Sequence, residues 1–201
     1  MPLRNSALLR PPRRAPTGFR NQVAAAMDRL PPLEGQPVRL RLIPELRVYR
    51  RRLGRGPGPG TAVHAGSDLR RRITFLDQSL VADRAELVRI LYHEIFHYAW
   101  VRLSNGQRHD YEAILARELH RRARGELGWS AELRKRKLAA GDVCHRSRRW
   151  REYVCESFCD TAAWIYAGRP AHPEATLAPG FQAARIEWFR GFPRPGHRIV
   201  I

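Results

Sequence analysis

His93, Glu94 and His97 lie in the segment His-Glu-Ile-Phe-His, which constrains the fold of this chain more than any other feature. Side chains four residues apart share one face of an α-helix, so the two imidazoles lie one turn apart on the same side. Burying two imidazoles and a carboxylate together is costly unless a cation compensates them. The spacing therefore predicts a helix that presents a metal site, with Glu94 placed to accept a proton from water.

The residues around this segment predict that it lies within a buried α-helix of about 20 residues. Apolar side chains recur at helical spacing from 87 to 92 and from 98 to 101. Asp83 is placed to cap the helix N-terminus, and Glu86 follows three residues later, as in a capping box. The sequence Ser-Asn-Gly at 104–106 favours the end of the helix there.

Strand and helix patterns are distributed unevenly along the chain. Before the motif helix, a short helix is predicted at Phe19–Leu30, and strands are predicted at Val38–Ile43, Glu45–Arg52, Thr61–Ala65 and Arg71–Leu76. After it, helical patterns bounded by Gly and Pro cover 110–124, 130–140, 142–167 and 181–190. This order predicts an α+β fold, in which a small antiparallel sheet precedes the motif helix and a mainly helical C-terminal half.

Length and composition favour one domain behind a basic tail. With 201 residues, 43% of them hydrophobic, the chain can bury one sizeable core, which we place at residues 19–201. Residues 1–18 are rich in Arg and Pro and contain no acid, so we expect them to form a disordered basic tail. No apolar run reaches the ~18 residues that a membrane-spanning helix needs.

The three cysteines and the character of the N-terminus favour a cytoplasmic protein. Cys144, Cys155 and Cys159 follow no apolar export signal, so we expect reduced thiols. Such thiols usually behave as small buried apolar side chains. The alternative is that Cys155 and Cys159 join Cys144 and His145 around a metal ion, although the paired Cys-x-x-Cys spacing of structural zinc sites is missing.

The chain carries a formal net charge of +18, and all but two of its 37 Lys and Arg residues are Arg. This preference for Arg is as typical of a GC-rich coding sequence as of selection for a ligand. The basic clusters are scattered over the chain rather than gathered in one tail. We therefore favour a solvated basic surface, with nucleic acid as a possible partner.

A catalytic zinc ion usually has three protein ligands, so a third donor is expected beyond the two histidines. Glu156 and Asp160 lie four residues apart on a predicted helix with apolar surroundings, where acids need a cation or a hydrogen-bond donor. We favour Glu156 as the ligand, with Asp160 accepting the N–H of a ligating imidazole. Four other residues could supply the ligand instead: Glu152, His109, His120 and His145. Without a metal, the two acids would pair with the arginines at 148, 149 or 151.

These residues resemble the gluzincin branch of zinc metallopeptidases, which has a thermolysin-like arrangement. In that family His-Glu-x-x-His on one helix is completed by a Glu on a later helix, with an Asp four residues further on. The resemblance implies a zincin-like fold and one catalytic Zn²⁺. It implies that the ion is bound by His93, His97 and Glu156, that Glu94 is the general base, and that Asp160 orients His93.

The resemblance also implies an extended peptide substrate held by the edge strand of the small sheet, for which Thr61–Ala65 or Ile73–Leu76 could serve. The chain departs from the family in two respects. The separation of 59 positions from His97 to Glu156 implies an inserted pair of helices. The His or Tyr that stabilises the oxyanion in the family has no clear match, and three residues are candidates: His145, Tyr153 and Tyr166.

Together these features predict a zinc-dependent hydrolase acting on a peptide or protein substrate, with no membrane partner. Three alternatives stay open. If His120 were the third ligand, the arrangement would be SprT-like, a peptidase class that acts on DNA-bound proteins. If the site were structural, the chain would be a non-catalytic zinc-containing basic protein that binds nucleic acid. A hydrolase of non-peptide amides would use the same chemistry.

Overall fold

The structure, a computed structural model, describes residues 5–50 and 52–201 and has an α+β architecture. Mixed sheets occupy the N-terminal part, and most helices lie in the C-terminal half. The described residues form six α-helices: α1 (Thr17–Met27), α2 (Arg84–Trp100), α3 (Asn105–His120), α4 (Trp129–Lys135), α5 (Arg148–Ala167) and α6 (Pro179–Arg190). They also form nine strands: β1 (Leu9–Arg10), β2 (Leu33–Glu34), β3 (Val38–Ile43), β4 (Arg47–Tyr49), β5 (Arg52–Gly54), β6 (Thr61–Ala62), β7 (Ala65–Asp68), β8 (Ile73–Asp77) and β9 (Ile199–Val200).

The chain divides into two compact units, one of Met1–Ile95 with Arg198–Ile201 and one of Phe96–His197. The boundary falls inside α2, which continues as one helix across it. The single domain expected over residues 19–201 stays a prediction. None of the helices in the described ranges has the length and apolar character needed to cross a bilayer.

The main sheet of the first unit has the strand order β1-β3-β8-β7. Strands β1, β3 and β8 run parallel, and β7 pairs antiparallel with β8. The prediction of a small antiparallel sheet is therefore wrong here, because this sheet is mixed. The long connection between β3 and β8 returns the chain to the starting end of the sheet, whereas a short turn reverses it between β7 and β8.

The position of β8 corrects one expectation about the substrate strand. Residues Ile73–Leu76 lie inside the sheet, because β8 pairs with β3 on one side and with β7 on the other. Within the described residues, β7 is the outer strand next to β8, and it begins at Ala65. Thr61–Ala62 belongs instead to a separate antiparallel sheet of order β5-β4-β6.

The N-terminal segment differs from the disordered tail that we expected at residues 1–18. Residues 5–18 form a 3-10 helix at Asn5–Leu8, then β1 and the start of α1. The Asn5 side chain makes four hydrogen bonds to backbone groups of residues 27–33, and Leu8 and Leu9 are buried. These contacts compensate the entropy of ordering a basic, proline-rich segment. The first four residues lie outside the described part of the chain.

The second unit is helical and has an aromatic core around Phe158 on α5. Its ring lies 5.2–6.1 Å, between centroids, from those of six other aromatic residues: Phe96, Trp100, Tyr111, Trp188, Phe189 and Phe192. Aromatic pairs at such distances contribute about 0.5–1.5 kcal/mol beyond their buried area. This core fixes the last turn of α2 against α5, where the later site residues lie.

A buried ion cluster joins four helices of the same unit, α3, α4, α5 and α6, and the loop between α3 and α4. The guanidinium of Arg185 is fully buried and bonds Glu118 at 2.5 Å and Glu126 at 2.7 Å. Lys135 Nζ lies 3.1 Å from Glu126 Oε1, and the Tyr153 hydroxyl donates to the same oxygen at 2.5 Å. Two acids therefore meet two cations, which is what buried charges require.

Candidate metal centre

Helix α2 carries the His-Glu-x-x-His segment near its C-terminal end. Asp83 Oδ1 accepts a hydrogen bond of 3.0 Å from the backbone N–H of Glu86, which confirms Asp83 as the N-terminal cap. The side chains of His93 and Glu94 are buried, with 6% and 5% of their surface exposed, and His97 is half-buried. The helix therefore holds both imidazoles and the carboxylate in a largely dry environment.

His97 and Glu156 bring two metal-ligating atoms together from α2 and α5. His97 Nε2 lies 3.7 Å from Glu156 Oε2. Two ligands of a tetrahedral zinc ion, each bonded at 2.0–2.1 Å, lie about 3.4 Å apart. His93, one turn earlier on α2, offers a further ligand atom, and the three atoms lie within 4.8 Å of one another. Two imidazoles and a carboxylate at this spacing fit Zn²⁺.

The second oxygen of Glu156 is bound by an arginine that the sequence reasoning did not identify. Arg134 on α4 donates from Nη2 to Glu156 Oε1 at 2.7 Å. Of the arginines at 148, 149 and 151 that the sequence offers as partners, Arg148 bonds Glu152 instead, at 2.8 Å. Arg134 fixes the rotation of the carboxylate so that its other oxygen faces His97. Such a bond around a metal ligand is a common way to hold the ligand in place.

Asp160 lies on α5, and its side chain contacts the N-terminus of α4. Its Oδ2 accepts the backbone N–H of Ala131 at 2.8 Å, which caps the helix that carries Arg134. A Cβ atom on Gly128 would lie 2.3–2.6 Å from the atoms of this carboxyl group, so the close approach requires glycine. Asp160 thus supports Glu156 through α4 and Arg134, while its predicted role in orienting His93 stays a prediction.

Glu94 is bonded to a serine of β7. Ser67 Oγ donates to Glu94 Oε2 at 2.6 Å and lies 2.8 Å from Thr74 Oγ1 on β8. A hydroxyl bonded to a carboxylate fixes its orientation and leaves its second oxygen for another partner. Ser67 belongs to no motif in the sequence, so only its place on the strand next to β8 could have indicated it.

Cys155 and Cys159 form a second group of possible ligands with His97. Cys155 Sγ lies 3.5 Å from His97 Nδ1, and the donor atoms of all three residues lie within 4.8 Å of one another. A hydrogen bond from Cys159, helped by nearby His97, lowers the pKa of the Cys155 thiol to about 6 against the effect of burial. Burial raises the pKa of Cys159 well above its usual value. The sequence reasoning missed the grouping of these two cysteines with His97.

The other ligands considered from the sequence are placed differently. Cys144 is exposed and bonds the carbonyl of Gly141 and the ring of His145, at 3.2 and 3.3 Å. Among the described residues, neither group of possible metal ligands includes the remaining candidates, namely Glu152, His109, His120 and His145. The SprT-like arrangement through His120 therefore receives no support from the geometry.

Tyr153 and Tyr166, two of the three oxyanion candidates, make contacts in the core. The Tyr153 hydroxyl donates to Glu126, and burial raises the pKa of this tyrosine well above its usual value. The ring of Tyr166 stacks on Phe96 with 5.3 Å between centroids, and burial raises its pKa to about 12. His145 is exposed and its Nδ1 lies 2.8 Å from the carbonyl of Gly141. The oxyanion role stays unassigned.

Comparisons of the chain with protein-family models, with curated proteins and with solved structures find no match. The resemblance to gluzincins therefore stays a hypothesis drawn from five residues. Any function has to be inferred from the chemistry of the site itself.

Proposed function

We propose that this chain is a zinc-dependent hydrolase of the zincin-like class and that it cleaves peptide bonds. One observation carries the proposal: ligand atoms of His93, His97 and Glu156 lie within 4.8 Å of one another, although the sequence separates them by up to 63 residues. Two neutral imidazoles and one carboxylate are the ligand set of several catalytic zinc sites, which keep a fourth position for water or substrate.

Glu94 is the general base in this proposal. When bound, the zinc ion supplies Lewis-acid activation of water and of the scissile carbonyl. The carboxylate of Glu94 accepts the proton of the attacking water and delivers it to the leaving amine. The bond from Ser67 fixes one carboxylate oxygen, and therefore the direction in which the other presents its lone pairs.

Arg134 and Asp160 support the ligand set from outside it. Arg134 pairs with one oxygen of Glu156, which holds the carboxylate of this ligand in one orientation. Asp160 caps the helix on which Arg134 lies. These contacts give an acid four residues after Glu156 a role in positioning that ligand.

The first unit offers an edge for an extended substrate. Strand β7 lies at the end of the sheet as the described residues form it, and its Ser67 bonds the general base. An extended peptide that adds to a sheet edge gains backbone hydrogen bonds regardless of its side chains. A peptide is therefore a better fit than a small amide, which would gain nothing from a strand edge.

The proposal is tested with zinc-loaded wild type and Glu94→Gln protein on a mixture of unstructured peptides, with cleavage followed by mass spectrometry. Cleavage by the wild type and none by the variant, at equal zinc content, supports it. No cleavage by either protein over a broad peptide set, or equal cleavage by both, argues against it.

A second function, nucleic-acid binding, is favoured by the net charge of +18 and by one exposed aromatic site. Trp129 is 52% exposed, and the Arg136 guanidinium lies 5.7 Å from the centre of its ring. Exposed aromatic and guanidinium groups stack on bases. Salt-dependent binding of single-stranded DNA that Trp129→Ala weakens and Glu94→Gln leaves unchanged would establish this function beside, or in place of, the hydrolase.

A further inference from the structure

Two thiols of α5 lie close to His97, and one of them lies at the ring nitrogen that does not face Glu156. Helix α5 places Cys155 and Cys159 one turn apart on one face, and Cys159 is fully buried. His97 directs Nε2 towards Glu156 Oε2 at 3.7 Å and Nδ1 towards Cys155 Sγ at 3.5 Å. A carboxylate therefore faces one nitrogen of the ring, and a thiol faces the other.

The ring of His97 and the two cysteine sulfurs have the spacing of a metal site. In tetrahedral geometry, a nitrogen bonded at about 2.0–2.1 Å and a sulfur bonded at about 2.3 Å lie roughly 3.6 Å apart. His97 Nδ1 and Cys155 Sγ match this distance, and Cys159 Sγ completes a group within 4.8 Å. Two thiolates and one imidazole favour soft ions such as Cd²⁺ or Cu⁺ over the harder ions that carboxylates prefer.

We propose that His97, Cys155 and Cys159 form a second metal site, selective for thiophilic ions, which competes for His97 with the ion at His93 and Glu156. A neutral imidazole has one lone pair, on one nitrogen only, because the other nitrogen carries the proton. One ion on each side of the ring would require loss of that proton. Only one of the two sites is therefore filled at a time, and a soft ion converts the hydrolase to an inactive form. The site itself is independent of the proposed function, and only the inhibition rests on it.

The site is tested with Cd²⁺ added to metal-free protein that is kept reduced with a phosphine. The readout is the ultraviolet charge-transfer band of cadmium bound to thiolates. We expect a band that saturates at one equivalent in wild type and that is lost in both Cys155→Ser and Cys159→Ser. Glu156→Gln keeps the band, because that carboxylate is not a ligand of this site. Cys144→Ser is the matched control, since its thiol is exposed and lies in neither group of possible ligands.

A band that survives in Cys155→Ser or Cys159→Ser, or that disappears in Cys144→Ser, overturns the proposal. If a serine variant does not fold, the site can still be tested by an alkylation experiment on wild type alone. Alkylation with iodoacetamide followed by peptide mapping should show Cys155 protected by one equivalent of Cd²⁺ and Cys144 unprotected. Equal alkylation of Cys155 with and without Cd²⁺ also overturns it.

The consequence for hydrolysis separates this site from the proposed function. With the zinc enzyme, one equivalent of Cd²⁺ should abolish peptide cleavage in wild type and leave most of it in Cys159→Ser. If the cadmium–thiolate band forms but no variant ever cleaves a peptide, the hydrolase proposal fails and the second site stands. If cleavage depends on Glu94 but the band is absent, only the second site fails.

Discussion

Ser67 donates a hydrogen bond of 2.6 Å to Glu94, so the proposed general base is held by a strand of the sheet as well as by its own helix. The serine lies on β7, and Glu94 lies in the second half of α2. A carboxylate with one oxygen fixed in this way presents the other in a defined direction. The contact links the edge strand, where we place the substrate, to the residue that we expect to move the proton.

Replacement of Glu94 by Gln should abolish hydrolysis and leave the metal in place. The amide keeps the size of the side chain but cannot accept the proton, so kcat should fall by about 10² to 10⁴. Activity on a peptide substrate and zinc content by mass spectrometry are measured on the same preparation. Glu187→Gln, on the exposed surface of α6, is the control. Undiminished turnover in Glu94→Gln would remove this residue from its role.

Replacement of Ser67 by Ala should lower kcat more than it changes KM. A hydrogen bond to a charged group contributes about 1.5–3 kcal/mol, so a fall in kcat of about 10-fold or more is expected if the bond orients the base. Ser67→Thr keeps the hydroxyl and should recover most of the rate. The values of kcat and KM are measured by steady-state kinetics on wild type, Ser67→Ala and Ser67→Thr. Equal losses in the Ala and Thr variants would mean that packing, rather than the hydroxyl, is responsible.

Replacement of Arg134 by Met should weaken zinc binding by about 10- to 100-fold, because the carboxylate of Glu156 loses the partner that holds its rotamer. Competition with a chromogenic chelator measures the affinity. Arg136→Met is the matched control, since Arg136 lies two residues further along and bonds Glu132 instead. If the two variants bind zinc equally well, Arg134 does not position Glu156.

Acid should destabilise the buried cluster around Glu126. Burial alone would raise the pKa of this carboxyl, but Arg185, Lys135 and the Tyr153 hydroxyl outweigh it and lower the pKa below 4.5. A lowered pKa in the folded state contributes stability that is present above the unfolded value and lost as pH falls through the folded value. The urea concentration at the midpoint of unfolding should therefore decrease once the pH is below about 4.5.

Glu126→Gln tests this acid sensitivity. The variant should be less stable than wild type at pH 7, because Arg185 and Lys135 lose a charge partner, and its urea midpoint should change less between pH 5 and pH 3. Glu187→Gln again serves as the surface control. Parallel pH dependence in wild type and Glu126→Gln would show that other carboxyl groups cause the acid unfolding.

Local sequence patterns predicted the elements that local forces determine. Strand β3 has the predicted bounds, because alternation of apolar and basic residues sets a two-residue period over its first five residues. Helix α2 begins after the predicted Asp83 cap. An acid in an apolar helix needs a partner, which indicates Glu156 as a ligand, and the structure brings its carboxylate to His97.

The remaining features depend on contacts between residues that are distant in sequence. The parallel pairing of β3 with β8 follows from a long connection whose path no local pattern specifies. Arg134 is one of many arginines in the chain, so nothing in the sequence singles it out as the partner of Glu156. The N-terminal segment has a composition typical of disorder, yet Asn5 makes four backbone hydrogen bonds with a segment more than 20 residues away.

Zinc stoichiometry tests the central claim most directly. It is best measured with Cys155 and Cys159 replaced by Ser, so that the thiol group cannot hold the ion. In that background we predict one tightly bound zinc per chain, its loss in Glu156→Ala, and its retention in Glu152→Ala, which alters the acid one turn earlier on α5. Full zinc content and unchanged affinity in Glu156→Ala would contradict the ligand set of His93, His97 and Glu156, and with it the hydrolase.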